Sequence, residues 1–188
     1  MAPYHYVLLD PASADIRLLV LRSGTWREAI DCDLIQVSLD TRPHYEALSY
    51  TWGNPTERRP ILLGGHPHQV TVSLEIALRH IRSQTEDRTL WIDALCINQE
   101  SLQERSEQVP RMLRIYISAT QVLAWTGDAS DGSDEAMAML SKLGELLDLE
   151  LENDLRASDK AENSDLEPSD GEHDQWDREA DQQLGSDE

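Results

Sequence analysis

Apolar positions along this chain recur with two different periods, and the change from one to the other marks out the elements. HYVLL at His5 to Leu9, IRLLVL at Ile16 to Leu21 and LIQVSL at Leu34 to Leu39 are short apolar runs separated by Asp-Pro, Ser-Gly and Asp-rich punctuation. They read as strands or short edge segments. EALSY at Glu46 to Tyr50 predicts a further strand that stops at the turn-forming Trp52-Gly53-Asn54-Pro55. Ile61 to Leu63 and Gln69 to Val72 flank Gly64-Gly65-His66-Pro67, the composition of a hairpin with a tight, somewhat long turn.

From Ser73 the period is helical. Leu74, Ala77, Leu78 and Ile81 stand at i, i+3, i+4 and i+7, with Ser73 as N-cap, and predict a helix to about Arg82. TLWID at Thr89 to Asp93 reads as a buried strand. Ser101 and Glu104 form an S-x-x-E capping box ahead of Val109, Met112, Leu113 and Tyr116, again at helical spacing. Pro110 lacks an N–H and biases Val109 away from helical geometry, which predicts a kink or two short helices. QVLAW at Gln121 to Trp125 predicts the last strand, and Ala136, Met139, Leu140, Leu143 and Leu147 share a helical face that ends at about Leu151.

Alternating strands and helices from Glu46 to Leu151 imply an α/β fold with a parallel core, to which the N-terminal strands and the hairpin add an extension. Ligands of such sheets sit beyond the carboxyl ends of the strands. Here those ends are Tyr50 to Gly53, Asp93 to Gln99 and Trp125 to Asp128.

Charge divides the chain. Met1 to Gly127 carries 15 acidic and 12 basic residues, whereas Asp128 to Glu188 carries 21 and 4, so most of the net charge of −20 lies in the second part. From Asn153 the apolar residues thin out among Asp, Glu, Ser and Gln, too few to offset ordering entropy. The expected organisation is one domain over residues 1–151 and a disordered acidic tail over 152–188. The body has no lysine, and its arginines are interleaved with acids, which disfavours nucleic acid as a partner. No apolar run approaches the roughly 18 residues that cross a bilayer, and Met1 to Pro11 lacks a leader pattern, so a cytoplasmic or nuclear location is expected. Cys32 and Cys96 belong to no CxxC pair and are expected reduced and packed; His66 and His68 lack a third ligand nearby, so no metal site is expected.

Each residue at the strand ends has two readings. Trp52 and Trp91 fit core or hinge aromatics better than stacking platforms. Asp93 either caps the following loop or belongs to a site, and Gly53 suits a turn with positive φ. Glu104 is explained by the capping box before any catalytic role is needed. Glu46, inside a strand, calls for a buried partner such as an arginine.

YEALSYTWG at Tyr45 to Gly53, LWIDALCINQ at Leu90 to Gln99, Glu104-Arg105, Gln108-Val109, M..IY..A from Met112 to Ala119 and VLAWTG at Val122 to Gly127 closely resemble the HET (heterokaryon incompatibility) domain of filamentous fungi. The resemblance spans about Ile16 to Leu147. Thr126 departs from it, standing where a bulky apolar residue is usual. The acidic tail departs too, standing where many members have a long C-terminal region, so either a truncated paralogue or a gene-model fragment is expected. The resemblance implies a cytoplasmic effector of fungal self/non-self recognition, a form of innate immunity, that triggers programmed cell death. It also implies a distant likeness to TIR domains and a flavodoxin-like sheet.

Two functions follow from it. Some TIR domains hydrolyse NAD with a glutamate on the helix after the third core strand. By that analogy NAD is the substrate, Glu104 the catalytic carboxylate and Asp93 the second choice or a ribose ligand, with Tyr50, Trp52, Gly53, Asn98 and Gln99 around the nucleotide. Other TIR domains only assemble. By that analogy this is a non-catalytic module that self-associates as a homo-oligomer, or binds a STAND-type receptor or another incompatibility protein. No Gly-rich phosphate loop, GxSxG or metal cluster in the sequence favours catalysis, and no resident cofactor is implied.

Overall fold

The computed structural model describes residues 4–164. It divides into two units, Met1–Asp128 and Ala129–Glu188. The first unit is built on one seven-stranded sheet: β1 (Asp15–Leu21), β2 (Asp31–Ser38), β3 (Glu46–Tyr50), β4 (Arg58–Leu63), β5 (His66–Thr71), β6 (Arg88–Trp91) and β7 (Gln121–Trp125). Their order is β5-β4-β2-β1-β6-β3-β7.

The parallel core expected from the sequence is β6-β3-β7, in which β3 pairs in parallel with both neighbours. The remainder is mixed: β1 runs antiparallel to β2 and to β6, β2 parallel to β4, and β4 antiparallel to β5. The N-terminal strands are not the extension that the sequence suggested, because β1 lies in the middle of the sheet, between β2 and β6. Its side chains from Ile16 to Leu19 are buried, Arg17 among them, the pattern of a strand covered on both faces. His5 to Leu9 is apolar but forms no strand; Val7 and Leu8 are exposed.

Gly64 and Gly65 alone join β4 to β5, with φ of 57° and 74°. Two successive left-handed residues give the tightest hairpin turn, so the turn is shorter than its composition suggested. Helix α1 (Val72–Ile81) follows at once, capped by Thr71, whose hydroxyl accepts from the Leu74 amide; Ser73, the expected cap, lies inside the helix.

Between β6 and β7 stand α2 (Asp93–Cys96), α3 (Leu102–Gln108), a 3₁₀ turn (Val109–Arg111) and α4 (Met112–Ser118). The turn carries Pro110, as the expected kink requires. Trp91 on β6 is fully buried and meets Tyr116 of α4 edge-on at 5.5 Å. Tyr45 is also fully buried, and its hydroxyl donates to the Ile115 carbonyl at 2.6 Å.

Both cysteines are free and buried, and burial pushes each thiol up to about 12. Among the described residues no helix is long and apolar enough to cross a membrane. The second unit is helix α5 (Ser133–Ser164), which continues past the expected end near Leu151 and into the segment expected to be disordered. From Asp165 onward that expectation falls outside the described residues.

Candidate functional site

At the carboxyl ends of the parallel strands β3 hands over to Thr51-Trp52-Gly53. The Ser73 hydroxyl donates to the Thr51 carbonyl at 2.6 Å, and Gly53 has a φ of 71°. A Cβ on Gly53 would come within 3.1 Å of the Ser73 Cβ, so close packing and backbone sign both favour glycine. This turn presents Trp52 44% exposed, which removes the core half of the core-or-hinge expectation.

The Trp52 Nε1 donates to Asp93 Oδ2 at 3.0 Å, and the Ala94 amide donates to Asp93 Oδ1 at 2.7 Å. Asp93 opens α2, two residues beyond the end of the strand that was expected to contain it. It is half-buried, and desolvation raises its pKa against the pull of those two donors. Tyr50 and Tyr116 are held in their neutral forms by burial and by the Asp93 charge. Tyr50, Trp52 and Asp93 therefore form one electrostatic group. Gln99 joins through its side-chain amide, which donates to the Asp93 carbonyl at 2.7 Å and ties the loop to the helix start.

Glu104 stands in a different environment. It is 5% exposed, and both of its oxygens accept from Arg17 of β1, at 2.5 and 3.0 Å. Oε1 also accepts from the Asn98 amide at 2.7 Å. Half of the capping box is present, since the Glu104 amide donates to the Ser101 hydroxyl, but the side chain reaches Asn98 and not the Ser101 amide. Asn98, expected near a nucleotide, instead uses its side-chain oxygen to accept from the Glu100 amide.

Arg17 is the residue that sequence reasoning missed. It is 3% exposed, and beyond Glu104 it donates to the Cys96 and Val7 carbonyls, with its guanidinium 5.0 Å from the centre of the Tyr6 ring. One side chain thereby ties the N-terminal segment, the end of α2 and α3 to a central strand. The signal was available: an arginine among Ile16, Leu18 and Leu19 in a doubly covered strand must find an acid. That logic did succeed for Glu46, which Arg88 grips with two bonds at 2.6 and 2.8 Å.

Two further features were not foreseen. His80 of α1 lies edge-on to Trp26 at 4.8 Å and tilted against Trp125 at 4.7 Å, with Nε2 3.5 Å from Asp128 Oδ1. At the opposite, amino ends of the strands a polar cavity of about 370 Å³ is lined by residues that include His44, Glu46, Arg88 and Gln121.

A family model described as heterokaryon incompatibility protein (HET) matches residues 45–184. The chain belongs to the HET family. A curated relative, heterokaryon incompatibility protein 6, OR allele, of Neurospora crassa, is 38% identical to this HET chain over 156 residues, covering 76% of this chain and 23% of the relative. The chain thus spans less than a quarter of the length of that relative. No solved structure matches it. The family match begins at Tyr45, after β1 and β2, yet in this HET chain β1 holds the middle of the sheet and supplies Arg17 to Glu104.

Proposed function

We propose that this HET chain acts in fungal incompatibility, in the cytoplasm, as a cell-death-triggering module that works by association, using the surface around Trp52 and Asp93. The observation that carries this reading is the enclosure of Glu104 and its pairing with Arg17. A carboxylate that stabilises an oxocarbenium ion must face the sugar with free lone pairs. Both oxygens of Glu104 are occupied by a buried arginine and a backbone amide. Freeing it would strand the Arg17 charge in the core. The TIR analogy that assigned NAD hydrolysis to Glu104 thus loses its carboxylate, and the assembling kind of TIR-like behaviour is the better parallel.

A second reading rests on Asp93. Its raised pKa, its position at a strand end and the half-exposed indole beside it are features of a working carboxylate. In that reading NAD is the substrate, Asp93 faces the developing charge and Trp52 offers an aromatic face.

One experiment separates the two. Purified full-length chain is incubated at high concentration with NAD, and the same chain is induced in fungal cells. Association predicts cell death with NAD levels unchanged and no nicotinamide release in vitro. Nicotinamide release that disappears in Asp93→Asn would overturn it in favour of the second reading.

A further inference from the structure

We infer that a second copy of this chain pairs with the open edge of β7, antiparallel and centred on Leu123, so that two sheets join into one. The inference adds to the association reading, on which its link to function rests, an interface separate from the surface around Trp52 and Asp93.

The two edges of the sheet are built differently. β5 begins His66-Pro67-His68, and a proline on an edge strand removes a donor and discourages pairing. β7, at the other edge, is Gln-Val-Leu-Ala-Trp and has no proline, glycine or charge to block it. Natural sheets blunt their free edges, so an unblocked apolar edge points to a pairing partner.

The face beside that edge is unfilled. Register sets Val122 next to Ala47 and Ala47 next to Trp91, so the three share a face of the sheet. Trp91 touches Tyr116, which places α4 on that same face. Among the described residues the cover stops short of the edge, where Val122 is 49% exposed and Ala124 is also exposed.

The uncharged edge and its self-complementary register fit a second copy as the occupant. A chain with net charge −20 repels its own kind, so self-contact is confined to surfaces free of acids. Ile115 to Gly127 holds no charged residue, and β7 lies inside it. Antiparallel pairing about Leu123 sets Val122 of each copy opposite Ala124 of the other, large against small, with no like charges opposed. The two-fold axis then stands perpendicular to the sheet and leaves both α4 helices on one side, flanking a floor of Val122 and Ala124 from each copy. α4 brings Leu113 and Ile117, 72% and 76% exposed, to that side of the molecule.

The test is the mass of the full chain by sedimentation over a concentration series. Wild type is expected to form a dimer that tightens with added NaCl, as screening weakens self-repulsion. Val122→Lys with Ala124→Lys opposes lysines across the two-fold and should weaken the dimer at least about tenfold. Val122→Lys with Ala124→Glu sets lysine opposite glutamate in this register and should restore it to within about threefold of wild type. Both positions are exposed, so both pairs of substitutions should melt like wild type by circular dichroism. A wild type that stays monomeric throughout overturns the inference, as do two double variants that behave alike. Killing that persists in the dimer-deficient lysine pair would break the link to cell death while leaving the interface standing.

Discussion

Glu104 and Asp93 are both carboxylates in the first turns of short helices after β6, and they differ in what surrounds them. Glu104 is enclosed and answered by a full positive charge, two bonds from Arg17 and one from Asn98. Asp93 is half-buried and answered only by neutral donors, the Trp52 indole and the Ala94 amide. The first arrangement fixes a charge in place for the sake of the fold. The second leaves a carboxylate poised to change protonation or partner. Burial alone therefore does not mark a working acid; what marks it is whether its charge is already matched.

The strongest way to break this contrast is to remove the matching charge. Arg17→Ala leaves Glu104 buried and unpaired and should cost about 3–5 kcal/mol, read from the shift in the urea midpoint. A cost near that of an ordinary surface substitution would mean that Glu104 is better solvated than its surroundings imply. Glu104→Gln keeps the shape and an acceptor but leaves Arg17 facing a neutral group. About 1–3 kcal/mol should be lost, more than a cap alone would account for.

Acid titration sharpens the other half of the comparison. Desolvation raises the Asp93 pKa above its ordinary 3.8, so the folded chain holds that proton more tightly than the unfolded one. Asp93 therefore favours the fold below about 3.8, and that contribution is lost as pH rises through the raised value. Relative to Asp93→Asn, wild type should lose stability over that interval, and urea midpoints measured from pH 3 to 7 check the sign. The smallest effect is expected from Trp52→Phe, which removes one neutral donor at a half-exposed site. It should cost under about 1 kcal/mol and push the Asp93 pKa further up, visible as a shifted carboxyl resonance.

Much of the fold was legible where periodicity reports burial directly. The helix with Leu74, Ala77, Leu78 and Ile81 on one face, the break at Pro110 and the strands on either side of them formed as the pattern required. Strand order was not legible, because the antiparallel pairing that carries β1 into the middle of the sheet is a tertiary choice that leaves only a doubly buried run in the sequence. The first apolar run misled for the related reason that apolar composition does not guarantee a pairing edge. At the site, Trp52, Asp93 and Gln99 lie within hydrogen-bonding reach of one another through Asp93, because the segments after β3 and β6 leave the same side of the parallel core. Glu104 was drawn into that group because helix position could be read from Ser101, whereas its partner, 87 residues earlier in the chain, could not.

The central claim is that Glu104 serves the fold and the Trp52–Asp93 surface serves the function. It is tested most directly by counting cell death in hyphae induced to express Glu104→Gln, with folded protein confirmed in the same extracts below its lowered melting temperature. The account predicts death at the wild-type frequency. A chain that is folded, present at wild-type level and no longer lethal would contradict it and return Glu104 to the chemistry.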